Sequence, residues 1–147
     1  MSKEIDREFM EKLINNIINS KPQLRSRGCD LVMPMPKIHV EKINKYLSTI
    51  KLSFFRLFVA LLREYAEDEE TRRECLKHMP IEYSSDFTGK KEVHLSRDAY
   101  DLLAMEAHRI KMERKALGAT LLMLFIDRKV IFKSEKLLET IIFERLL

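Results

Sequence analysis

The side chains in this sequence that could do chemistry are few, and their spacing narrows what that chemistry is. Cys29 and Cys75, taken with His39, His78 and His94, match no zinc signature. Two cysteines without a CxxC pair fit buried apolar positions in a reducing, cytoplasmic compartment better than a metal centre. No nucleophile elbow, phosphate-cradling glycine loop or paired-acid motif occurs, so the chain reads as a non-enzyme with no catalytic residue and no cofactor. What remains is charge. Lysine and arginine outnumber aspartate and glutamate 27 to 23, for a formal charge of +4. The pI near 9.1 permits an anionic partner without requiring one. Arg25 and Arg27, following Lys21, make a basic stretch that could track phosphates or simply lie solvated.

These groups need elements to position them. Ile5, Phe9, Leu13 and Ile17 recur every four residues and predict an N-terminal helix ahead of the basic arm. Leu31, Met33 and Met35 then alternate with Asp30, Val32 and Pro34, which is the period of a strand. Pro34 has no ladder donor, so the strand must place it at a non-pairing position or distort around it. A helix follows over 37–49, with Val40, Ile43, Leu47 and Ile50 inside. Ser53 caps a second helix whose Phe54, Phe55, Leu57, Phe58, Leu61, Leu62 and Tyr65 are apolar over much of the circumference. The acidic run 67–70 reads as a solvated junction, 71–79 as a basic helix and 80–89 as a linker.

The same order then recurs. Val93 and Leu95 point one way, with Lys91, Glu92, His94 and Ser96 as the polar complement. Ser96 caps a helix carrying Asp98 in its first turn and Leu102, Leu103, Ala107 and Ile110 inside. Lys111, Met112 and Glu113 stand where Lys51, Leu52 and Ser53 stood, and a helix through Leu117, Leu121 and Phe125 follows. Gly118 costs that helix about 1 kcal/mol, tolerable if the backbone of the other second helix crosses closely there. A final helix is capped by Ser134, with Leu137 and Leu138 inside.

A strand of five or six residues cannot stand alone, so two strand-helix-helix units in one chain supply each other's partner. The expected fold is mostly α, with a two-stranded antiparallel β-ribbon over four helices. It forms one domain over 1–147: a helix and basic arm (1–28), a first unit (30–66), a helix and linker (67–89), a second unit (90–128) and a C-terminal helix (129–147). The charged segment 1–20 is no signal peptide, and no apolar run reaches membrane-spanning length.

The stretch from Lys51 through Ser53, Phe54 and Phe58 to Tyr65 is similar to the turn and second helix of the ribbon-helix-helix DNA-binding family. That from Val93 through Ser96 to Leu103 resembles the family's strand and first helix. The likeness covers about half the chain with a loose pattern. It implies a tandem, single-chain pseudo-dimer with extra terminal helices, monomeric in solution and able to line up cooperatively on double-stranded DNA. In that family the ribbon enters the major groove and the start of each second helix holds a phosphate. The resemblance therefore implies base-reading positions at Val32, Pro34, Lys90, Glu92 and His94, with Asp30 beside them. It also implies phosphate contacts at Ser53, Phe54, Lys37, Lys91, Arg97, Arg114, Lys115, Arg25 and Arg27. The outward residues depart from the family, which favours basic, amide or hydroxyl side chains there. Val32 and Pro34 offer no hydrogen bond, and Asp30 and Glu92 repel phosphate. Two function classes follow. One is a sequence-specific DNA-binding protein, either a transcriptional repressor or an accessory factor at a plasmid transfer origin or mobile-element site, its terminal helices buttressing the fold or recruiting a protein partner. The other is a protein-interaction module on the same scaffold.

Overall fold

The computed structural model describes residues 29–81 and 84–146. The expected N-terminal helix and the arm with Arg25 and Arg27 lie outside the described residues. In chain order the described elements are β1 (Asp30–Met35), α1 (Lys37–Ile50), α2 (Phe54–Glu67), α3 (Glu69–Leu76), β2 (Gly89–His94), α4 (Arg97–Arg109), α5 (Arg114–Ile126) and α6 (Lys133–Leu146). The described chain is mostly helical, with β1 and β2 pairing as a two-stranded antiparallel sheet.

The register places Asp30 opposite His94, Val32 opposite Glu92 and Pro34 opposite Lys90. Beyond the ribbon, the Leu95 N–H donates to the Cys29 carbonyl at 2.9 Å. Hydrogen-bonded pairs alternate with open ones along an antiparallel ladder, so odd-numbered residues of β1 carry the bonds. Pro34 therefore falls at an open pair, where its missing donor costs nothing. Leu31, Met33, Met35, Val93 and Leu95 are buried beneath the ribbon. Lys91 shares their face, directly across from Met33. This corrects its grouping with Glu92 and His94, because alternation puts residue 91 in phase with Val93.

Each strand feeds a helix, a tight turn and a buried helix, and the two turns have one backbone. Lys51 and Lys111 are both left-handed at φ 55°. Leu52 N–H donates to the Leu47 carbonyl at 3.1 Å, and Met112 N–H to that of Ala107 at 3.0 Å. Ser53 and Glu113 then open the next helices at φ −73°, ψ 147° and φ −70°, ψ 148°. Ser53 Oγ accepts from the Arg56 amide at 3.3 Å, whereas the Glu113 side chain makes no capping bond.

The helices after these turns form the centre of the core. Residues 117–125 of α5 are buried at every position. A Cβ on Gly118 would lie 2.7 Å from Met33 Sδ and 3.1 Å from the Phe58 ring. The close approach that glycine permits is thus made by side chains of β1 and α2, not by a crossing backbone. His39 Nε2 lies 2.6 Å from Asp127 Oδ2, tying α1 to the end of α5.

One buried carboxylate fastens the C-terminal half of the molecule. Glu64 is fully buried in α2. Its Oε2 accepts from the Lys133 amide at 2.9 Å and its Oε1 from the Ser134 amide at 2.7 Å. These are the first amides of α6, so an acid 69 residues away caps that helix and meets the positive end of its dipole. Ser134 is therefore not the cap: it sits inside the first turn, fully buried, and its hydroxyl has no hydrogen-bond partner among the described residues. The Thr71 hydroxyl lies 2.5 Å from Glu64 and 2.6 Å from Asp68, with one proton to give.

The acidic run is likewise more than a solvated junction. Asp68 caps α3 through the Thr71 amide at 3.1 Å and lies 3.0 Å from Lys133 Nζ. Burial alone would raise its pKa, but hydrogen bonds from Thr71 and Lys133 hold it below the usual carboxylate value.

Two outcomes follow. Glu64→Ala strands the amides of Lys133 and Ser134, while the Thr71 hydroxyl keeps Asp68, so chemical denaturation should register a loss of about 2–4 kcal/mol. Asp68 has a folded pKa below its unfolded one. Its contribution is complete above the unfolded value near pH 4 and drains away as pH falls through the folded value. Urea midpoints measured from pH 7 to pH 2 should therefore fall less steeply below pH 4 in Asp68→Asn than in the parent, with the variant already weaker at pH 7.

Candidate functional site

The outer face of the ribbon is built from three cross-strand pairs, all at open positions of the ladder, where Cα atoms approach to about 4.5 Å and side chains meet. At one end His94 Nδ1 contacts Asp30 Oδ1. At the centre Val32, 42% exposed, faces the exposed Glu92. At the other end the half-buried Pro34 faces the exposed Lys90. The five expected base-reading positions, with Asp30, thus share one face. Its charge is balanced rather than basic: two acids against Lys90 and a histidine already bonded to one of those acids.

The expected phosphate contacts flank this face unevenly. On the first side, Lys37 opens α1, exposed, and Ser53 and Phe54 open α2. Lys91 lies half-buried on the inner face of the ribbon on that side. Its Nζ donates to Asn44 Oδ1 at 2.8 Å and lies 4.4 Å from the centroid of the Phe54 ring, and burial lowers its pKa. A lysine held this way presents its stem to the core and its charge to a local acceptor. On the second side, Arg97 lies 3.7 Å from Asp101 and Lys115 is 3.5 Å from Glu113. These exposed pairs contribute little and yield to a stronger anion. The Arg114 guanidinium sits 5.2 Å from the Tyr100 ring centroid, and among the described residues no carboxylate pairs with it.

Position by position, the two sides explain a feature that sequence reasoning missed. Leu31, Ala104 and Arg114 on the second side each stand sixty residues in sequence from Lys91, Asn44 and Phe54 on the first. On the first side those three groups close on one another. On the second, a leucine and an alanine leave an open cleft of about 540 Å³, walled by Tyr100, His108, Met112, Glu113, Arg114 and Lys115. Tyr100 and Ala104 were not among the inner positions expected of α4, which were Leu102, Leu103, Ala107 and Ile110, and nothing in the sequence marked the space above them.

Among the described residues there is no group of three His, Cys, Asp or Glu side chains that could hold a metal ion. No described helix is long and apolar enough to cross a membrane. Cys75 is buried in the core, and burial, with Glu64 and Glu74 nearby, pushes its thiol up to about 12, far from a reactive thiolate. Compared with protein-family models, with curated proteins and with solved structures, the chain matches none.

Proposed function

We propose that this protein binds double-stranded DNA by laying the β1–β2 ribbon in the major groove, as a single-chain ribbon-helix-helix pseudo-dimer. One observation carries the reading. The two turns and the starts of the helices on either side of them are each related by a shift of sixty residues, and that same shift relates Val32 to Glu92, the pair that face each other at the centre of the ribbon. A local two-fold axis through that pair accounts for the register, for the equal turns and for the placing of α2 and α5. A major groove admits a two-stranded ribbon, and the starts of α2 and α5, either side of the ribbon, suit the two flanking backbones. Lys90 and His94 then supply hydrogen bonds to base edges, and Val32 an apolar contact to a thymine methyl. The biological setting is that of a repressor or of an accessory factor at a plasmid or mobile-element site.

The balanced charge of the outer face favours a second reading, a protein-interaction module that keeps the scaffold without its reading chemistry. Salt separates the two. Contact with about six phosphates gives a slope near −5 in log affinity against log salt, whereas an apolar interface gives almost none.

Selection of bound duplexes from random sequence at moderate salt tests the proposal. A short enriched motif is expected, asymmetric because the two sides differ, with affinity for it lost in the Lys90→Ala, His94→Ala double variant. Sequence-blind binding, or none, would overturn direct readout.

A further inference from the structure

We propose that the cleft between β1, α4 and the start of α5 is a binding site for a small organic anion with a flat apolar body, an aryl carboxylate by class. The inference goes beyond the DNA reading and does not depend on it.

The cleft exists because of a specific substitution of side chains. Where Lys91, Asn44 and Phe54 hold one another on the first side, Leu31, Ala104 and Arg114 leave a space of about 540 Å³ on the second. That volume is within the range of small-molecule sites and is far larger than an inorganic anion fills. The base is apolar, made by the buried Leu31 and Ala107 together with Ala104 and Met112. Apolar surface of this kind favours a hydrocarbon body over a bare phosphate.

The rim supplies the opposite preference. Arg114, Lys115 and His108 line it, against one acid, Glu113, which is already within 3.5 Å of Lys115. Arg114 is the decisive group. Its guanidinium is steadied against the Tyr100 ring, 5.2 Å from the centroid, and among the described residues it has no carboxylate partner. A planar guanidinium held in place offers a carboxylate two parallel hydrogen bonds at small entropic cost. Its charge stands beside the apolar base, so one ligand must satisfy both, with its carboxylate on Arg114 and its ring over Ala104. A neutral aromatic forgoes the first contact and an inorganic anion the second.

The test is a titration of the whole, isotope-labelled chain with 1-naphthoate, followed by amide chemical shifts, and repeated with 1-naphthalenemethanol, which keeps the ring without the charge. Saturable shifts centred on Leu31, Ala104 and Arg114 are expected, with the alcohol binding about tenfold more weakly, the effect of about 1.4 kcal/mol. Arg114→Gln, at an exposed side chain, should weaken naphthoate by a similar factor. Ala104→Phe fills the cleft and should abolish binding. If that variant fails to fold, Arg114→Gln and the alcohol decide the matter between them. Absence of saturable shifts, shifts centred elsewhere, equal affinities for acid and alcohol, or unchanged affinity in Arg114→Gln would overturn the proposal.

Discussion

The structure depends on a six-residue strand that has no partner nearby in sequence. β1 spans Asp30–Met35, and the strand that satisfies it, β2, begins at Gly89. An isolated strand leaves its backbone donors and acceptors to water and gains no packing, so everything between must return the chain to the same place with the opposite direction. Two helices, a left-handed turn and a short third helix do so. The ribbon they close is thin, and only its burial side stabilises it: Met33, Met35 and Leu95 are fully enclosed by the helices that the same strands lead into. Sheet and helices are therefore one cooperative object, since neither the ribbon nor the apolar faces of α2 and α5 would be stable apart.

Glu64 plays the corresponding part at the other end. A carboxylate in a core is costly unless donors compensate it, and here the amides of Lys133 and Ser134 bond its two oxygens while the Thr71 hydroxyl is shared between it and Asp68. The consequence reaches three helices at once, since the acid belongs to α2, the hydroxyl to α3 and the amides to α6. Its cost is offset by specificity: α6 can start only where that carboxylate lies.

Much of this was legible in the residues. Alternation in 31–35 gave the strand and its faces, Ser53 and Ser96 marked the starts of the next helices, and the matched triplets at 51 and 111 located the turns although neither contains glycine. The failures share a cause, which is that local rules are silent about distant partners. Ser134 looked like a cap because serine before an acidic turn usually is one, and a glutamate from another helix took the role. Glu64 itself lies seven residues after Leu57 and three after Leu61, on the buried stripe, so its enclosure was readable from helical spacing while its partners were not. Lys91 broke the alternation because a lysine can sit on an inner face if its ammonium finds Asn44 and an aromatic ring. The cleft on the second side was invisible for a different reason: it is made by what Ala104 lacks.

The same asymmetry bears on the proposed function. A scaffold with matched turns and a centred register presents two unequal flanks, one closed around Lys91 and one open beneath Arg114, and an outer face whose charges nearly cancel. The proposed pseudo-dimer makes both strands of its ribbon from a single 17.5 kDa chain, so it needs no second copy to occupy one site. The mass of the complex with the shortest duplex recovered by selection, measured by native mass spectrometry, is the most direct check. A ribbon closed within the chain predicts one chain per duplex; two chains on that shortest site, or no complex at all, would contradict it.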